Sequence, residues 1–346
     1  MKIENRLIGE GQPCFLIAEV GINHNGDEVL AHRMVDAIAD AGADCVKFQT
    51  FSAEEFMNGA DQVFEYTSQG KIVRESMLAM FKRHELAAST FGRLFDHARR
   101  RGLIPLSTPT DTVAVELLND LGVHAFKIGS DDLVYTPFLD YVARKGKPII
   151  LSTGMADALD IERAVSTISA AGNERILILH CVSVYPTPNE HVNLRRIGSL
   201  QAQFPYPIGF SDHSAGITAA LGAVALGACA IEKHFTLDRN FPGPDHHFSA
   251  DSAELQSLVS EVRKLEAQFG SPRLRAARGE PEMAAMARRS IVVNRDLPAG
   301  HVISAADLSY RRPGTGLMPY ERDRVIGRRT RHAIAANALL ALTMVE

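Results

Sequence analysis

Short apolar runs that end in polar residues alternate along most of the chain with amphipathic stretches. The runs are FLIAEV from Phe15, CVKFQT from Cys45, IPLSTP from Ile104, AFKIGS from Ala125, PIILST from Pro148, ILILHC from Ile176, PIGFSDH from Pro207 and CAIEKHFT from Cys229. Each has the length and apolar content of a buried strand. Between them, segments such as VLAHRMVDAIADAG and GITAALGAVALGA read as helices that close on a glycine suited to a helix C-terminus. Eight strand-and-helix units over roughly 250 residues predict an α/β fold, a parallel sheet closed into a TIM (β/α)8 barrel. An open doubly wound sheet is disfavoured: no run leads into a G-x-G-x-x-G turn, and polar residues end all eight strands instead of clustering at one switch point.

Two stretches break the regular spacing. The segment from Phe51 to about Leu103 is too long for one loop and one helix. Its first part, SAEEFMNGADQVFEYTSQGK, is polar, and ESMLAMFKRHEL then resumes a helical pattern. Long loops after barrel strands lie at the catalytic face, so this insertion is expected to be a substrate-contacting loop. After Phe269 the chain turns rich in Arg, Ala and Pro without a clean period. The expected organisation is a barrel over residues 1–269, a linker over 270–287 and a small, mostly-β domain over 288–346, whose strands are joined by Pro and Gly turns.

Composition narrows the class of function. The 346 residues are 46% hydrophobic and 23% charged, with a net charge of -4, which leaves no electrostatic footprint for nucleic acid or an anionic membrane. The N-terminal MKIENRLIGEGQP lacks a secretory signal, and no apolar stretch is long enough to span a bilayer. Cys14, Cys45, Cys181 and Cys229 form no Cys-x-x-Cys pair and read as reduced packing residues, so a cytoplasmic protein is expected.

Chemistry enters through the strand ends. In VKFQTF, period-2 alternation points Lys47 and Gln49 one way and Val46 and Phe48 the other. The same alternation brings Glu19, Thr108, Lys127, Ser130, Ser152, Ser211, His213, Glu232 and His234 to one barrel mouth. A single Lys or Ser at a strand end is usually a satisfied rim residue. Two lysines, several hydroxyls, two acids and two histidines converging together suit a small, multiply charged anion such as a phosphate ester that also bears a carboxylate. His213 and His234 end adjacent strands and are candidate ligands of a catalytic divalent ion, Mn, Co or Zn before Mg. His24 reads as a loop-orienting residue and His180 as a packed histidine. Asp245, beyond a Pro-Gly turn, is placed to accept bonds from a polyhydroxylated substrate.

The motifs AEVGINHNG, VKFQT, STP, KIGS, LSTGM, HCVSVYPTP, GFSDH, EKHFT, PGPDH and RRPGTGL, in this order through both domains, resemble the sialic acid synthase (N-acetylneuraminate synthase) family of phosphoenolpyruvate-dependent nonulosonate synthases. The resemblance implies a TIM barrel followed by a SAF, or antifreeze-like, domain that caps the partner's barrel in a domain-swapped homodimer. It implies condensation of phosphoenolpyruvate with an N-acyl amino sugar. It assigns phosphoenolpyruvate binding to Lys47, Thr108, Lys127, Ser130, Ser152, Ser183 and Ser211, the reacting centre to Glu19 and Gln49, the sugar to Tyr185, Asp245 and Arg312, and a divalent metal, manganese first, to His213 and His234. Ser183 stands where members that make N-acetylneuraminate often have Asn, and the insertion departs from theirs. The acceptor therefore stays open between N-acetylmannosamine and a 2,4-diacetamido-trideoxy hexose, as for legionaminate or pseudaminate.

Overall fold

The structure is a computed structural model that describes residues 1–57 and 62–346. It comprises two compact units, Met1–Gly270 and Ser271–Glu346.

The first unit holds eight parallel strands, here β1 (Phe15–Gly21), β2 (Cys45–Thr50), β3 (Ile104–Pro109), β4 (Phe126–Ile128), β5 (Ile149–Ser152), β6 (Ile176–Cys181), β7 (Ile208–Asp212) and β8 (Ala230–His234). All eight expected strands are present. The ladder runs β3-β2-β1-β8-β7-β6-β5-β4, so the first strand pairs with the last, and the two ends of the ladder, β3 and β4, lie against each other. This is a nearly closed barrel.

Alternation builds two cores from each strand. Phe15 and Ile17 of β1, Cys45 of β2 and Leu177 and Leu179 of β6 point inward, where Ile3 and Ile8 of a short N-terminal hairpin join them. Leu16, Ala18 and Val20 of β1 and Val46 and Phe48 of β2 point outward and pack under the helices. Burying a side chain such as Phe48, fully inaccessible here, contributes about 2–3 kcal/mol. Helix termination follows sequence chemistry: α1 (Glu28–Ala41) is capped by the Asp27 carboxylate and stops at Gly42, whose φ of +82° only glycine adopts without strain.

The insertion after β2 departs from the expected loop. Residues 58–61 lie outside the described residues, but Val63–Ser68 and Lys71–Ser76 form an antiparallel hairpin. Gln69 and Gly70 both take positive φ, the signature of a two-residue type I′ turn. Helices Met77–His84 and Ala88–Arg100 follow.

In the second unit, Glu280–Ala287 is a helix, so the segment expected to be a plain linker carries regular structure. Strands Ser290–Val293 and Leu308–Arg311 pair antiparallel over a core of Ile291, Val293, Leu297, Ile303, Val325, Ile334 and Leu340. The buried Asp307 carboxylate ties this small fold together by accepting from Arg295, His301 and Ser304. No helix among the described residues is long and apolar enough to cross a membrane.

Candidate active site

The lysine of VKFQTF is buried inside the C-terminal mouth of the barrel, 2% exposed. Lys47 Nζ lies 2.6 Å from Glu19 Oε2, 3.7 Å from Glu232 Oε2 and donates to Thr108 Oγ1 at 3.1 Å. Lys127 Nζ donates to Glu232 Oε1 at 3.0 Å, and Ser211 Oγ donates to the same oxygen at 3.0 Å. Gln49 Nε2 reaches Glu19 Oε1 at 3.4 Å. A bulge between Glu19 and Gly21 shapes this corner, and a Cβ at Gly21 would sit 3.2 Å from the Glu19 carboxylate.

Removing an ion from water costs several kcal/mol, so these four charges persist only because they pair with one another and with hydroxyls. Glu19 and Glu232 neutralise the two lysines, and the net charge of the mouth depends on the proton of Glu19. Burial pushes the Glu19 carboxyl above its ordinary range, with Lys47 opposing and Glu232 reinforcing the rise. Glu232 resists the same burial because Lys127, Lys47 and Ser211 surround it, and its carboxyl is held below the usual range. Lys47 stays charged: burial opposes its ammonium, but Glu19 and Glu232 raise its pKa.

Beside this network lies a ring of small groups. Gly154 N donates to Ser130 Oγ at 2.9 Å, and Ser130 Oγ contacts Cys181 Sγ at 3.5 Å. A Cβ at residue 154 would fall 2.2 Å from Ser183 Oγ and 2.7 Å from Ser130 Oγ, so only glycine fits this cradle. Ser152 Oγ is buried without a hydrogen-bond partner.

The third group is aromatic. The His213 and His234 rings lie 5.4 Å apart, with Tyr185 4.2 Å from His213 and Phe248 5.2 Å from His234. His213 Nδ1 donates to Val182 O at 2.8 Å, which leaves Nε2 free to ligate. His234 Nδ1 is buried without a hydrogen-bond partner, 3.8 Å from Asp245 Oδ2. Burial, reinforced by His213 and Lys47, drives the His234 pKa well down, so its imidazole is neutral as a ligand must be. Burial pushes the Asp245 carboxyl up to about 6. Among the described residues no group of three or more His, Cys, Asp or Glu is arranged to hold a metal. The donor set fits a cation that rests on two imidazoles and completes its shell with water or substrate.

The structure thus links Glu19, Lys47, Gln49, Thr108, Lys127 and Ser211 in one network, sets Ser130 and Ser183 around Gly154, and groups His213, His234, Tyr185 and Asp245. Ser152 ends β5 at the same mouth. Arg312 belongs to the second unit, where it is exposed. Two residues gain weight beyond the sequence reading. Glu232, visible there only as one more polar strand end, bridges both lysines. Cys181, expected to be a packing residue, is free, buried and in contact with Ser130 and with His213 Nδ1 at 3.9 Å. His180 packs as expected, donating to Val192 O at 2.7 Å.

Comparison with known proteins agrees with this picture. Residues 34–273 match the NeuB family and residues 288–346 the SAF domain. The chain is 38% identical over 342 residues to N,N'-diacetyllegionaminic acid synthase of Legionella pneumophila, covering 98% of this chain and 96% of that one. It is 38% identical over 304 residues to N-acetylneuraminate-9-phosphate synthase of Homo sapiens, covering 86% and 83%. The crystal structure of N-acetylneuraminic acid (sialic acid) synthetase from Leptospira borgpetersenii superposes with a TM-score of 0.74 at 36% identity, over 82% of this chain and 94% of that one.

Proposed function

This chain belongs to the NeuB family of sialic and nonulosonic acid synthases, and from that premise we propose that it condenses phosphoenolpyruvate with an open-chain N-acyl amino sugar and water to give a nine-carbon 2-keto sugar acid and phosphate. The observation that carries the reading is the pair of buried lysines sharing Glu232 beside free hydroxyls. A doubly functional anion such as phosphoenolpyruvate offers both a carboxylate and a phosphate to such a site.

In this reading Lys47, Lys127, Thr108 and Ser211 bind the anion, and Ser130, Ser152, Ser183 and the Gly154 cradle take its remaining oxygens. His213 and His234 hold a divalent cation, manganese first among the candidates as the family resemblance implies. When bound, the cation supplies Lewis-acid polarisation of the sugar aldehyde. Tyr185 and Asp245 face the sugar. The methylene carbon of the enol ester forms a bond to the aldehyde carbon, whose oxygen takes up a proton. Water adds to the neighbouring carbon and loses a proton, and the tetrahedral intermediate expels phosphate by breaking its carbon–oxygen bond. Glu19, protonated more readily than an ordinary carboxyl and held against Lys47 and Gln49, is the group placed to exchange these protons.

We further propose a homodimer in which the SAF domain of one subunit supplies Arg312 to the sugar site of the other. The charge pattern supports this: from Ser271 onward the basic side chains other than histidine are all arginines, suited to carboxylate-rich surfaces. The acceptor is N-acetylmannosamine, a 2,4-diacetamido-trideoxy hexose or a close relative. Phosphate release from phosphoenolpyruvate, measured with manganese and a panel of N-acyl hexosamines, tests the function and ranks the acceptors. Acceptor-dependent release supports it; release independent of any sugar contradicts it.

A further inference from the structure

The NHNG turn after β1 carries no role in the chemistry above, yet Asn23 is only 1% exposed and His24 likewise. Its bonds lead to one place. Asn23 Nδ2 donates to Phe235 O and to Ser249 Oγ, both at 2.9 Å, and Ser249 Oγ donates to Asp245 O at 2.6 Å. Asn25 Oδ1 accepts from His246 Nε2 at 3.2 Å, while Thr236 Oγ1 meets His246 Nδ1 at 2.7 Å. Asn25 takes φ of +53°, a conformation Asn tolerates better than most residues. The turn thus grips the segment 235–250 after β8 at both its ends and beside Asp245.

The hairpin grips the same segment from another side. Ser68 Oγ, buried, accepts from Gly243 N at 3.0 Å, and Gln69 Nε2 donates to Asn240 O at 2.9 Å. Gly243 allows this crowding, since a Cβ there would fall 2.9 Å from the His246 ring and 3.2 Å from Asn25 Oδ1. Close packing also joins the two grips: a Cβ at Gly26 would sit 2.3 Å from Arg83 O, at the end of the helix that follows the hairpin.

We infer that Asn25 and Ser68 are positioning residues for the sugar acceptor, acting through the loop that carries Asp245. They touch no reacting atom. They hold Asp245 where its carboxylate meets the acceptor, and the anion site, built on β2, β3, β4, β5 and β7 with the Gly154 cradle, makes no hydrogen bond to them. The hairpin thereby becomes a determinant of acceptor affinity through its tip. This inference rests on the reading above that Asp245 binds the sugar.

The test uses the full-length protein. Asn25→Gly removes the side chain while keeping the positive φ, Asn25→Asp restores an acceptor for His246, and Ser68→Ala removes the acceptor for Gly243 N. Asn25→Gly and Ser68→Ala are expected to raise the KM for the sugar about tenfold, the scale of one lost buried hydrogen bond, while the KM for phosphoenolpyruvate stays within about twofold. Asn25→Asp should recover most of the affinity. Hydrogen exchange of residues 235–250, read by mass spectrometry without substrates, should rise in Asn25→Gly and return in Asn25→Asp. Unchanged exchange, or equal changes in both KM values, overturns the inference. A wild type that releases phosphate with no acceptor in the panel defeats the functional reading and with it the role toward the sugar, whereas the exchange data decide the loop-holding role independently.

Discussion

Lys47 and Glu19, neighbours across β1 and β2, form a buried ion pair of 2.6 Å whose carboxylate partner is protonated more readily than an ordinary carboxyl. In the proposed reaction, proton and anion occupancy would be coupled at this pair: a neutral Glu19 would leave Lys47 free for an incoming anion, and an ionised Glu19 would compete with it.

That coupling separates the two lysines. Replacing Lys47 by Met strands Glu19 and weakens the support of Glu232, so unfolding free energy should fall by about 3–5 kcal/mol. Lys127→Met leaves Glu232 with Lys47 and Ser211 and should cost less. Both should raise the KM for phosphoenolpyruvate. Denaturant titration alongside steady-state kinetics checks the order; equal stability loss in the two variants would contradict the network described.

Glu19→Gln keeps the shape and one accepting oxygen but cannot exchange a proton. Its kcat is expected to drop about 100-fold or more, with KM values for both substrates changing far less. A variant within a fewfold of wild-type kcat would remove Glu19 from the proton-transfer step.

The eight strands were legible because a barrel strand is buried on both faces, so an apolar run interrupted only by mouth residues such as Lys47 and Gln49 stands out. The hairpin was not, for the opposite physical reason. Val63 and Ile72 are exposed at 58% and 71%, and charged Glu65 and Arg74 face each other across it, so no buried face marks the alternation. The Gln69-Gly70 pair was the signal that could have found it. The bridging role of Glu232 depends on β8 meeting β4 across the barrel, a relation no local pattern encodes. The NHNG turn was read only as far as His24 orienting a loop. The structure confirms that much, with Gly26 N donating to His24 Nδ1 at 3.0 Å, and adds the grip of Asn23 and Asn25.

Histidine burial predicts a pH dependence. Burial drives His24 from an ordinary 6.5 down to about 3 and His246 to about 4, and lowers His84; His84 depresses both His24 and His246 further, and His246 depresses His24. A neutral buried histidine binds its proton more weakly in the folded state than in the unfolded chain. Stability is therefore full above about 6.5 and declines as pH falls below it, by about 1 kcal/mol per pH unit for each such histidine until its folded pKa is reached. Thermal melts between pH 7.5 and 5 should show this decline, and His24→Asn should flatten it. Stability that holds constant over this range would count against the neutral cluster.

Metal dependence follows from the two imidazoles. Protein stripped of divalent ions should lose turnover and recover with manganese, and His213→Ala should lose the recovery. Full turnover in chelator, with removal verified by elemental analysis, would exclude the role given to His213 and His234.

The most direct measurement follows one oxygen atom. Phosphoenolpyruvate labelled with heavy oxygen at the position bridging carbon and phosphorus is turned over with the best acceptor, and both products are analysed by mass spectrometry. Attack of the methylene carbon on the sugar and water addition at the neighbouring carbon break the carbon–oxygen bond, so the label is predicted to leave in phosphate. Label retained in the nine-carbon acid would mean cleavage between phosphorus and oxygen, and would contradict the condensation proposed for this barrel.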